Sequence, residues 1–278
     1  MTDPIRITVI VDNRAAPGLT AEHGLSLWIE AAGRRILFDT GQGGALEPNA
    51  SALGIDLAGT DALVLSHGHY DHTGGVPGVL RTAGRVEAYC HPGAVSPHYG
   101  FREGTARAIH MPRESVTALE GMPPQRLHWV RRPVSLSEDV GVTGVIPRET
   151  PFEDTGGPFY LDPEGRYADP IEDDLALWIR TGGGLVVCVG CCHAGLLNTL
   201  RYVQRLNGGM RIRAVIGGFH LLGAGRERLE RTFEGLLSLE PDQVIPCHCT
   251  GEAATAGLLD ALGRRGTHGE AGLRLAFG

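Results

Sequence analysis

The sequence predicts an α/β fold, in which layered helices and strands carry a functional site on the loops that follow the strands. Three observations support this prediction. Short β-branched or wholly apolar runs alternate with stretches of helical periodicity in both halves of the chain. Polar residues follow directly after several of the apolar runs. Apolar residues make up 42% of the 278 positions, which excludes a disordered chain and is enough for a sizeable core.

The first quarter of the chain is predicted to form an antiparallel sheet followed by a buried strand and a helix. Its first three strands alternate or are β-branched, and Asp39-Thr40-Gly41 forms a turn after the third. The fourth run is short and wholly apolar, as in a strand buried on both faces. The predicted elements are strands at residues 5–11, 25–30, 35–39 and 63–65 and a helix that includes Val76, Val79 and Leu80.

Residues 92–170 differ from the rest of the chain in composition. Eleven of the 17 prolines fall in this segment, so its regular elements should be short. Phe101, Phe152, Phe159 and Tyr160 give it apolar anchors, which argues against a poorly ordered linker. We therefore predict one domain spanning residues 1–278 that carries a Pro-rich insertion or lid at about 92–170.

Regular patterns return after this segment and again alternate between strand and helix. Two strand-like runs are separated by a glycine turn at residues 182–184, and helical spacing of apolar residues follows three times. The predicted elements are strands at 175–179, 185–189, 213–216 and 244–245 and helices at 196–206, 226–239 and from Thr250 to about Leu262.

The charged residues narrow the classes of function. All 25 basic side chains are arginine, and the missing lysine excludes a Schiff base, a pyridoxal-phosphate anchor and a P-loop. The net charge of −7 argues against nucleic-acid and anionic-membrane partners. Without a signal peptide or a long apolar run, we expect a cytoplasmic protein with six reduced cysteines. The sequence leaves a homodimer open.

A dense group of metal-ligand residues follows the buried strand at 63–65. His67, His69, Asp71 and His72 fall within six positions, and two glycines allow a tight exit from the turn. Imidazole and carboxylate groups are ligands that zinc and similar divalent ions prefer. In a turn, His67 and His69 can point at one ion while Asp71 and His72 face a second one nearby.

Two further histidines repeat this pattern of an apolar strand, small residues, a histidine and a glycine. His193 lies in Gly190-Cys191-Cys192-His193-Ala194-Gly195, and His248 lies in Pro246-Cys247-His248-Cys249-Thr250-Gly251. Because the pattern recurs, we interpret both as metal ligands and not as core histidines. The flanking cysteines, Cys191, Cys192, Cys247 and Cys249, are expected to point to the opposite face and to pack as small buried residues.

On these motifs the chain resembles the metallo-β-lactamase superfamily. The resemblance implies a four-layer αββα sandwich with a metal site at the sheet ends. It also implies that His67, His69 and His193 hold a first metal ion, that Asp71, His72 and His248 hold a second, and that Asp39 is the structural aspartate below the site.

The resemblance narrows to one branch of this superfamily, the 7,8-dihydropterin-6-methyl-4-(β-D-ribofuranosyl)aminobenzene-5′-phosphate synthase-like proteins. Motifs in the order typical of the branch extend over nearly the whole chain. They are Glu22-His23-Gly24-Leu25-Ser26, Thr143-Gly144-Val145-Ile146-Pro147-Arg148, Phe152-Glu153, Ile216-Gly217-Gly218-Phe219-His220-Leu221 and the two motifs around His193 and His248.

The chain departs from many superfamily members at the bridging carboxylate. Residues 194–226 contain no Asp or Glu, and His220 is the only ligand-type side chain among them. We therefore place His220 in or next to the bridging position, with a supporting or substrate-contacting role as the alternative. Without a carboxylate bridge, a site with one metal ion is also open.

These ligands predict the class of chemistry. Two divalent ions and a single carboxylate ligand make the pocket electropositive, which favours a small phosphorylated or carboxylated substrate that Arg148 could also bind. We predict a hydrolase in which a metal-bound hydroxide attacks the substrate, with Asp71 orienting it and His220 or His23 delivering a proton. Zn²⁺ is the expected cofactor, as one or two ions, with Mg²⁺, Mn²⁺ or Fe as alternatives.

Two other functions stay open. The branch implies a transferase reaction in which the metals hold a diphosphate leaving group and an aryl amine replaces it on a pterin methylene carbon. A binding protein that uses the metal for stability and senses a small ligand is the third reading, and the nearly complete ligand set argues against it.

Overall fold

Two large β-sheets lie face to face and helices cover the outer face of each in the computed structural model, which describes residues 4–278. The α/β prediction is therefore confirmed, together with the four-layer αββα arrangement that the resemblance implies. The antiparallel opening sheet and the strand–helix alternation of the second half are also present at nearly the predicted boundaries.

The first sheet has seven strands. They are β1 (Ile5–Val11), β2 (Ser26–Ala31), β3 (Arg34–Phe38), β4 (Ala62–Val64), β5 (Glu87–Cys90), β8 (Leu127–Trp129) and β16 (Arg274–Phe277). Their order is β16-β1-β2-β3-β4-β5-β8. The strands from β16 to β3 pair antiparallel, and β3, β4, β5 and β8 pair parallel.

The second sheet has six strands. They are β9 (Val134–Ser135), β10 (Val140–Val142), β12 (Ala176–Thr181), β13 (Gly184–Val189), β14 (Ile212–Gly218) and β15 (Gln243–Cys247). Their order is β15-β14-β13-β12-β10-β9, with parallel pairing only among β13, β14 and β15. All six residues of β13 are buried, as its wholly apolar sequence requires.

Seven α-helices accompany the sheets. They are α1 (Leu46–Leu53), α2 (Tyr70–Thr73), α3 (Val76–Thr82), α4 (Arg113–Glu120), α5 (Leu196–Leu206), α6 (Arg226–Ser238) and α7 (Glu252–Leu262). Their apolar residues recur at helical spacing, as in α5, where Leu196, Leu200 and Val203 are buried. None of the helices within residues 4–278 combines the length and apolar character needed to cross a membrane.

One core fills the space between the sheets, and two more lie beneath the helices. Phe38 of the first sheet and Ile216 of the second both belong to the inner core. Leu200, Leu236 and Leu258 attach α5, α6 and α7 to the second sheet. Leu46, Val79 and Leu119 attach α1, α3 and α4 to the first. Both sheets are therefore held from two sides, which gives their loop ends a rigid base.

Residues 92–170 contribute strands to both large sheets and therefore do not form one separate insertion. The segment supplies β8 to the first sheet and β9 and β10 to the second, so the insertion predicted at about 92–170 is too wide. The part outside both sheets includes a small sheet of β6 (Tyr99–Arg102), β7 (Thr105–Ala108) and β11 (Phe159–Tyr160). Short strands between prolines gave no periodic signal from which this division could be predicted.

Candidate metal centre

Loops that follow four parallel strands meet at one end of the sandwich. The loop after β4 carries His67 and His69, and the loops after β13, β14 and β15 carry His193, His220 and His248. Parallel strands present their carboxyl ends at the same edge of a sheet, so distant segments of sequence converge there. The ring centres of His67 and His193, which come from different sheets, are 4.9 Å apart.

The first predicted ligand set is brought together. Ligand atoms of His67, His69 and His193 all lie within 4.8 Å of one another, and the three side chains are buried. His67 Nε2 and His69 Nδ1 are 3.0 Å apart. This spacing fits three nitrogen ligands at about 2 Å from one ion.

Hydrogen bonds decide which nitrogen of each histidine faces this space. Ser66 Oγ donates to Asp39 at 2.7 Å and so accepts from His67 Nδ1 at 2.8 Å, which leaves the lone pair on His67 Nε2. His193 Nδ1 donates to the Thr155 carbonyl at 2.7 Å, and its Nε2 is buried without a hydrogen-bond partner. An unpaired buried lone pair is costly, and a cation would satisfy it. The residues therefore fit a divalent metal ion.

The second predicted set lies beside the first. Asp71 Oδ2 is 3.2 Å from His248 Nε2 and 3.9 Å from His72 Nε2, and the two histidine nitrogens are 3.3 Å apart. His72 Nδ1 donates to Asp39 at 2.7 Å, and His248 Nδ1 donates to Asn13 Oδ1 at 2.9 Å. Both Nε2 atoms therefore point inward, as a second cation would require.

The two sets differ in their protonation. Burial, followed by the neighbouring histidines, lowers the pKa of His67 and His193 well below the usual value, so both are neutral and ready to coordinate. Burial also lowers the pKa of His72, but the Asp39 and Asp71 carboxylates outweigh it and raise that pKa to about 9. A cation at the second set must therefore displace a proton from His72.

His220 lies next to the first set. Its ligand atom groups with those of His193 and Cys191 within 4.8 Å, and its ring centre is 4.4 Å from that of His193. The position agrees with a place in or next to the bridging position. Which of the predicted roles His220 has, as a ligand or as a proton donor, stays a prediction.

His23 stands at the mouth of the centre. Its side chain is 53% exposed, and its Nε2 lies 3.2 Å from Asp71 Oδ2. Its ring also packs on His248 at 4.8 Å between centres. A half-exposed imidazole in contact with a ligand carboxylate can exchange protons between the site and solvent.

The expectation that the flanking cysteines point away from the metal site is wrong for two of the four. Cys191 Sγ lies 3.2 Å from His72 Nε2, and Cys249 groups with Cys191 and His248. Cys192 and Cys247 do pack in the cores, as predicted. Side chains alternate only in extended backbone, and Cys192 and His248 instead have φ angles of +56° and +46°.

Left-handed backbone is a shared feature of this centre. Asp39, Cys192, His220 and His248 are non-glycine residues with φ between +45° and +60°. Such conformations are sparsely populated and persist only where the surroundings enforce them. His220 is closely packed, because a Cβ atom added to Gly156 would lie only 1.9 Å from Cδ2 of the His220 ring.

The prediction that Arg148 binds an anionic substrate is not supported by its contacts. Its Nη1 donates to the His193 carbonyl at 2.6 Å, and its Nη2 donates to the Pro170 carbonyl at 2.5 Å. The guanidinium therefore ties the loop of a metal ligand to the end of the 92–170 segment. Sequence alone could not reveal these partners, because a carbonyl acceptor carries no residue signature.

Three further residues support the centre, and two of them, Asp12 and Asn13, were missed from the sequence. Asp12 and Asn13 follow β1 and hold His248, the aspartate through the backbone N–H at 2.7 Å. Asp173 accepts from the N–H of Gly68 at 2.7 Å. A polar pair after a buried strand was the available signal for Asp12 and Asn13, and it is the same signal that identified the histidines.

Phe159 of β11 covers the centre from above. Its ring centre lies 5.3 Å from that of His193, 5.7 Å from that of His69 and 5.9 Å from that of His220. The ring also lines an open cleft of about 560 Å³ together with Tyr160 and Arg148. The small third sheet thus packs Phe159 against the predicted metal ligands and also lines this cleft.

Asp174 is a buried carboxyl beside the loop of His193. Its Oδ2 accepts from the Ala194 N–H at 2.8 Å, and burial raises its pKa to about 7. The folded chain therefore binds one proton more than the unfolded chain between about pH 4 and pH 7. Because of that proton, the free energy of unfolding falls as pH rises through this window.

Asp174→Asn should remove this dependence, because asparagine keeps an acceptor for Ala194 and carries no charge. Relative to the parent, the variant should gain about 2–3 kcal/mol more at pH 8 than at pH 5. Urea unfolding of chelator-treated protein at both pH values measures the difference. The exposed Asp260→Asn is the control and should show no such gain. Equal effects of Asp174→Asn at both pH values would contradict the expectation.

Comparisons with known proteins agree with this geometry. The family model described as the metallo-beta-lactamase superfamily matches residues 19–201. An uncharacterised protein of Methanocaldococcus jannaschii is 33% identical over 91% of this chain and 93% of its own length. The 7,8-dihydropterin-6-methyl-4-(beta-D-ribofuranosyl)-aminobenzene-5'-phosphate synthase of the same organism is 30% identical over 90% and 88%. A crystal structure described as a metal-dependent hydrolase of the beta-lactamase superfamily superposes with a TM-score of 0.77, at 28% identity over 98% of both chains.

Proposed function

Because the chain belongs to the metallo-beta-lactamase superfamily, we propose that it is a metal-dependent hydrolase of a small anionic substrate. One observation carries the proposal: the ring nitrogens of two adjacent ligand sets face one shared space. His67 and His193 present one side of this space, and His72 and His248 present the other. Asp71 adds the only carboxylate predicted as a ligand. Such a set of polar groups does not stabilise a hydrophobic core, whereas it suits hydrolytic metal chemistry.

Zinc is the ion that these donors favour. Bound divalent ions supply positive charge and lower the pKa of a coordinated water. Imidazole nitrogens suit zinc and iron, whereas manganese and magnesium prefer oxygen ligands, and magnesium also keeps several waters. A set dominated by histidine therefore supports zinc as the first candidate and magnesium as the weakest.

The protein's own residues have separate tasks in this proposal. The Asp71 carboxylate lies within 3.2 Å of both His248 and His23, so it can accept a hydrogen bond from a nucleophile and orient it. His23 is half-exposed and can deliver a proton to the leaving group. Phe159 covers the inner histidines and excludes bulk water on that side, which strengthens the electrostatic interactions within the site.

The charge of the centre supports an anionic substrate. The predicted ligands are up to six neutral histidines and one carboxylate. They would balance only one of the four positive charges that two divalent ions bring. The chain as a whole has a formal net charge of −7 and repels anions in general. A phosphoryl or carboxyl group would therefore be drawn to the positive charge of the centre.

The test combines metal removal with a substrate panel. Purified protein would be assayed on phosphomonoesters, phosphodiesters, lactones and thioesters, then stripped with a chelator and reloaded with one metal at a time. We expect hydrolysis that disappears with the metal and returns with zinc or iron. Metal-free protein that keeps full activity would disprove the proposal.

A second candidate is a transferase, and the 30% identity over 90% of the chain to the pterin-related synthase favours it. In that reaction the metal ions would hold a diphosphate leaving group, and no water would be activated. The test supplies a dihydropterin-methyl diphosphate with a ribofuranosylaminobenzene phosphate and measures diphosphate release and coupled product. Product formation that exceeds all hydrolysis rates would favour the transferase. No turnover in either assay would leave a ligand-binding protein.

We also place the protein in the cytoplasm. All six cysteines are buried and free, without a disulfide between any of them. Burial raises the pKa of Cys90 to about 12, which keeps that thiol protonated and unreactive. Reduced thiols of this kind are typical of a reducing compartment.

A further inference from the structure

Cys191 lies where the two ligand sets meet. Its Sγ falls within 4.8 Å of the ligand atoms of His67 and His72, which belong to different sets. It groups in the same way with His193 and His220, and again with His248 and Cys249. One of these atoms, His72 Nε2, lies 3.2 Å from the sulfur. A single sulfur atom is thus close to the ligands of both proposed ions.

The backbone brings this sulfur inward. Cys191 lies two residues after β13, and the left-handed Cys192 turns the chain so that Cys191 and His193 both face the centre. Cys192 itself packs in the outer core beneath the helices. Cys191 is 2% exposed, so solvent does not compete for its sulfur.

The chemistry of the site leaves a place for such a ligand. Paired metal ions in hydrolases lie about 3.5–4 Å apart and are usually bridged. Residues 194–226 supply no carboxylate for this purpose. A thiolate binds zinc at about 2.3 Å, so one sulfur can reach two ions at that separation.

We propose that Cys191 binds as a thiolate between the two metal ions, in the role that a carboxylate would otherwise fill. The thiol proton leaves to solvent when the metal binds, two metal–sulfur bonds form, and no atom changes its oxidation state. The inference rests on the metal pair of the proposed function and deepens it, but it does not depend on which reaction the protein catalyses.

Spectroscopy of the full-length protein tests this without an activity assay. The protein would be loaded with Co²⁺, and its near-ultraviolet spectrum would be examined for the absorption band that thiolate–cobalt charge transfer produces. X-ray absorption of the zinc-loaded protein would then report a zinc–sulfur distance of about 2.3 Å. We expect both signals in the parent, with two ions per chain.

Three cysteine variants make the test specific. Cys191→Ala should lose the sulfur signals and drop to about one ion per chain. Cys192→Ala is the matched control, since that neighbour packs in the core, and should keep the signals and both ions. Cys249→Ala separates the other nearby sulfur from Cys191. Cys191→Asp should recover the second ion without sulfur signals, and Cys191→Ser replaces alanine if that variant does not fold.

Each outcome of these experiments either supports or overturns the proposal. Sulfur signals that survive in Cys191→Ala, or that vanish only in Cys249→Ala, overturn the proposal. A parent that binds two ions without a sulfur signal also overturns it, and so does a parent that binds one ion alone. A parent with two ions and a Cys191-dependent signal, but no hydrolysis, would support the inference while the proposed hydrolase function fails.

Discussion

Asp39→Ala should destabilise the protein by about 3–5 kcal/mol and release the metal ion at the His72 set. Asp39 is fully buried, and its carboxylate accepts from the Ser66 N–H, the Ser66 hydroxyl and His72 Nδ1, each at 2.7 Å. Alanine would leave three buried donors without an acceptor. His72 would also lose the bond that fixes its ring, and loss of such a partner weakens metal affinity about 10–100-fold.

Two measurements separate these effects. Denaturant unfolding of chelator-treated protein gives the loss in stability alone, and metal analysis after dialysis gives the loss in affinity. Asp39→Asn is the matched variant, because its amide oxygen can still accept from Ser66 while its NH₂ group opposes His72. We expect it to keep more stability than alanine does. An alanine variant with parental stability would contradict the structural role of Asp39.

We expect Asp71→Asn to lower turnover by about 10²–10⁴-fold. This is the largest effect on activity that we predict for a single substitution. The Asp71 carboxylate contacts His248 and His23 at 3.2 Å each. Asparagine is nearly the same size but adds no negative charge to the site, so it is a weaker metal ligand and a weaker hydrogen-bond acceptor. Both the predicted ligand and the predicted orientation of the nucleophile are therefore impaired.

Steady-state kinetics on the best substrate of the panel, with metal content measured on the same samples, checks this expectation. If full metal content accompanies a low kcat, the orientation of the nucleophile by Asp71 is the part that was lost. If one ion is missing, the ligand task dominates. The exposed Glu252→Gln serves as control and should keep parental rates. An Asp71→Asn variant with parental kcat and kcat/KM would contradict both tasks.

That the candidate metal ligands lie together could be predicted from the sequence, because each one follows a strand. His67, His193 and His248 come after β4, β13 and β15, and parallel strands deliver their ends to one edge. A periodic apolar run identifies each strand, and a residue shortly after that run must lie near the end of the strand. This is why the positions of these histidines were predictable across about 180 residues of intervening chain.

The orientation of Cys191 and Cys249 could not be predicted in the same way. The expectation relied on strict alternation, which fails where a residue adopts a left-handed conformation. Cys192 and His248 are not glycines, so nothing in their residue types indicated a positive φ at either position. Only the packed structure enforces that backbone.

Partners formed by backbone groups were also beyond the sequence. Arg148 donates to the carbonyls of His193 and Pro170, and His193 donates to that of Thr155. Every residue offers such a carbonyl, so residue type contains no information about which one is chosen. The division of residues 92–170 between three sheets was hidden for a related reason, since strands of two to four residues are too short for a period to emerge.

The left-handed residues of the metal centre give instructions for protein engineering. Asp39, Cys192, His220 and His248 occupy a conformation that β-branched side chains resist, so mutagenesis libraries should leave these four codons unchanged. The third sheet places no restriction of this kind on Phe159 or Tyr160, and its strands lie outside both main sheets. A search for altered substrate preference should therefore randomise β11 and its neighbours, where new side chains can meet a ligand while the scaffold that positions the histidines stays intact.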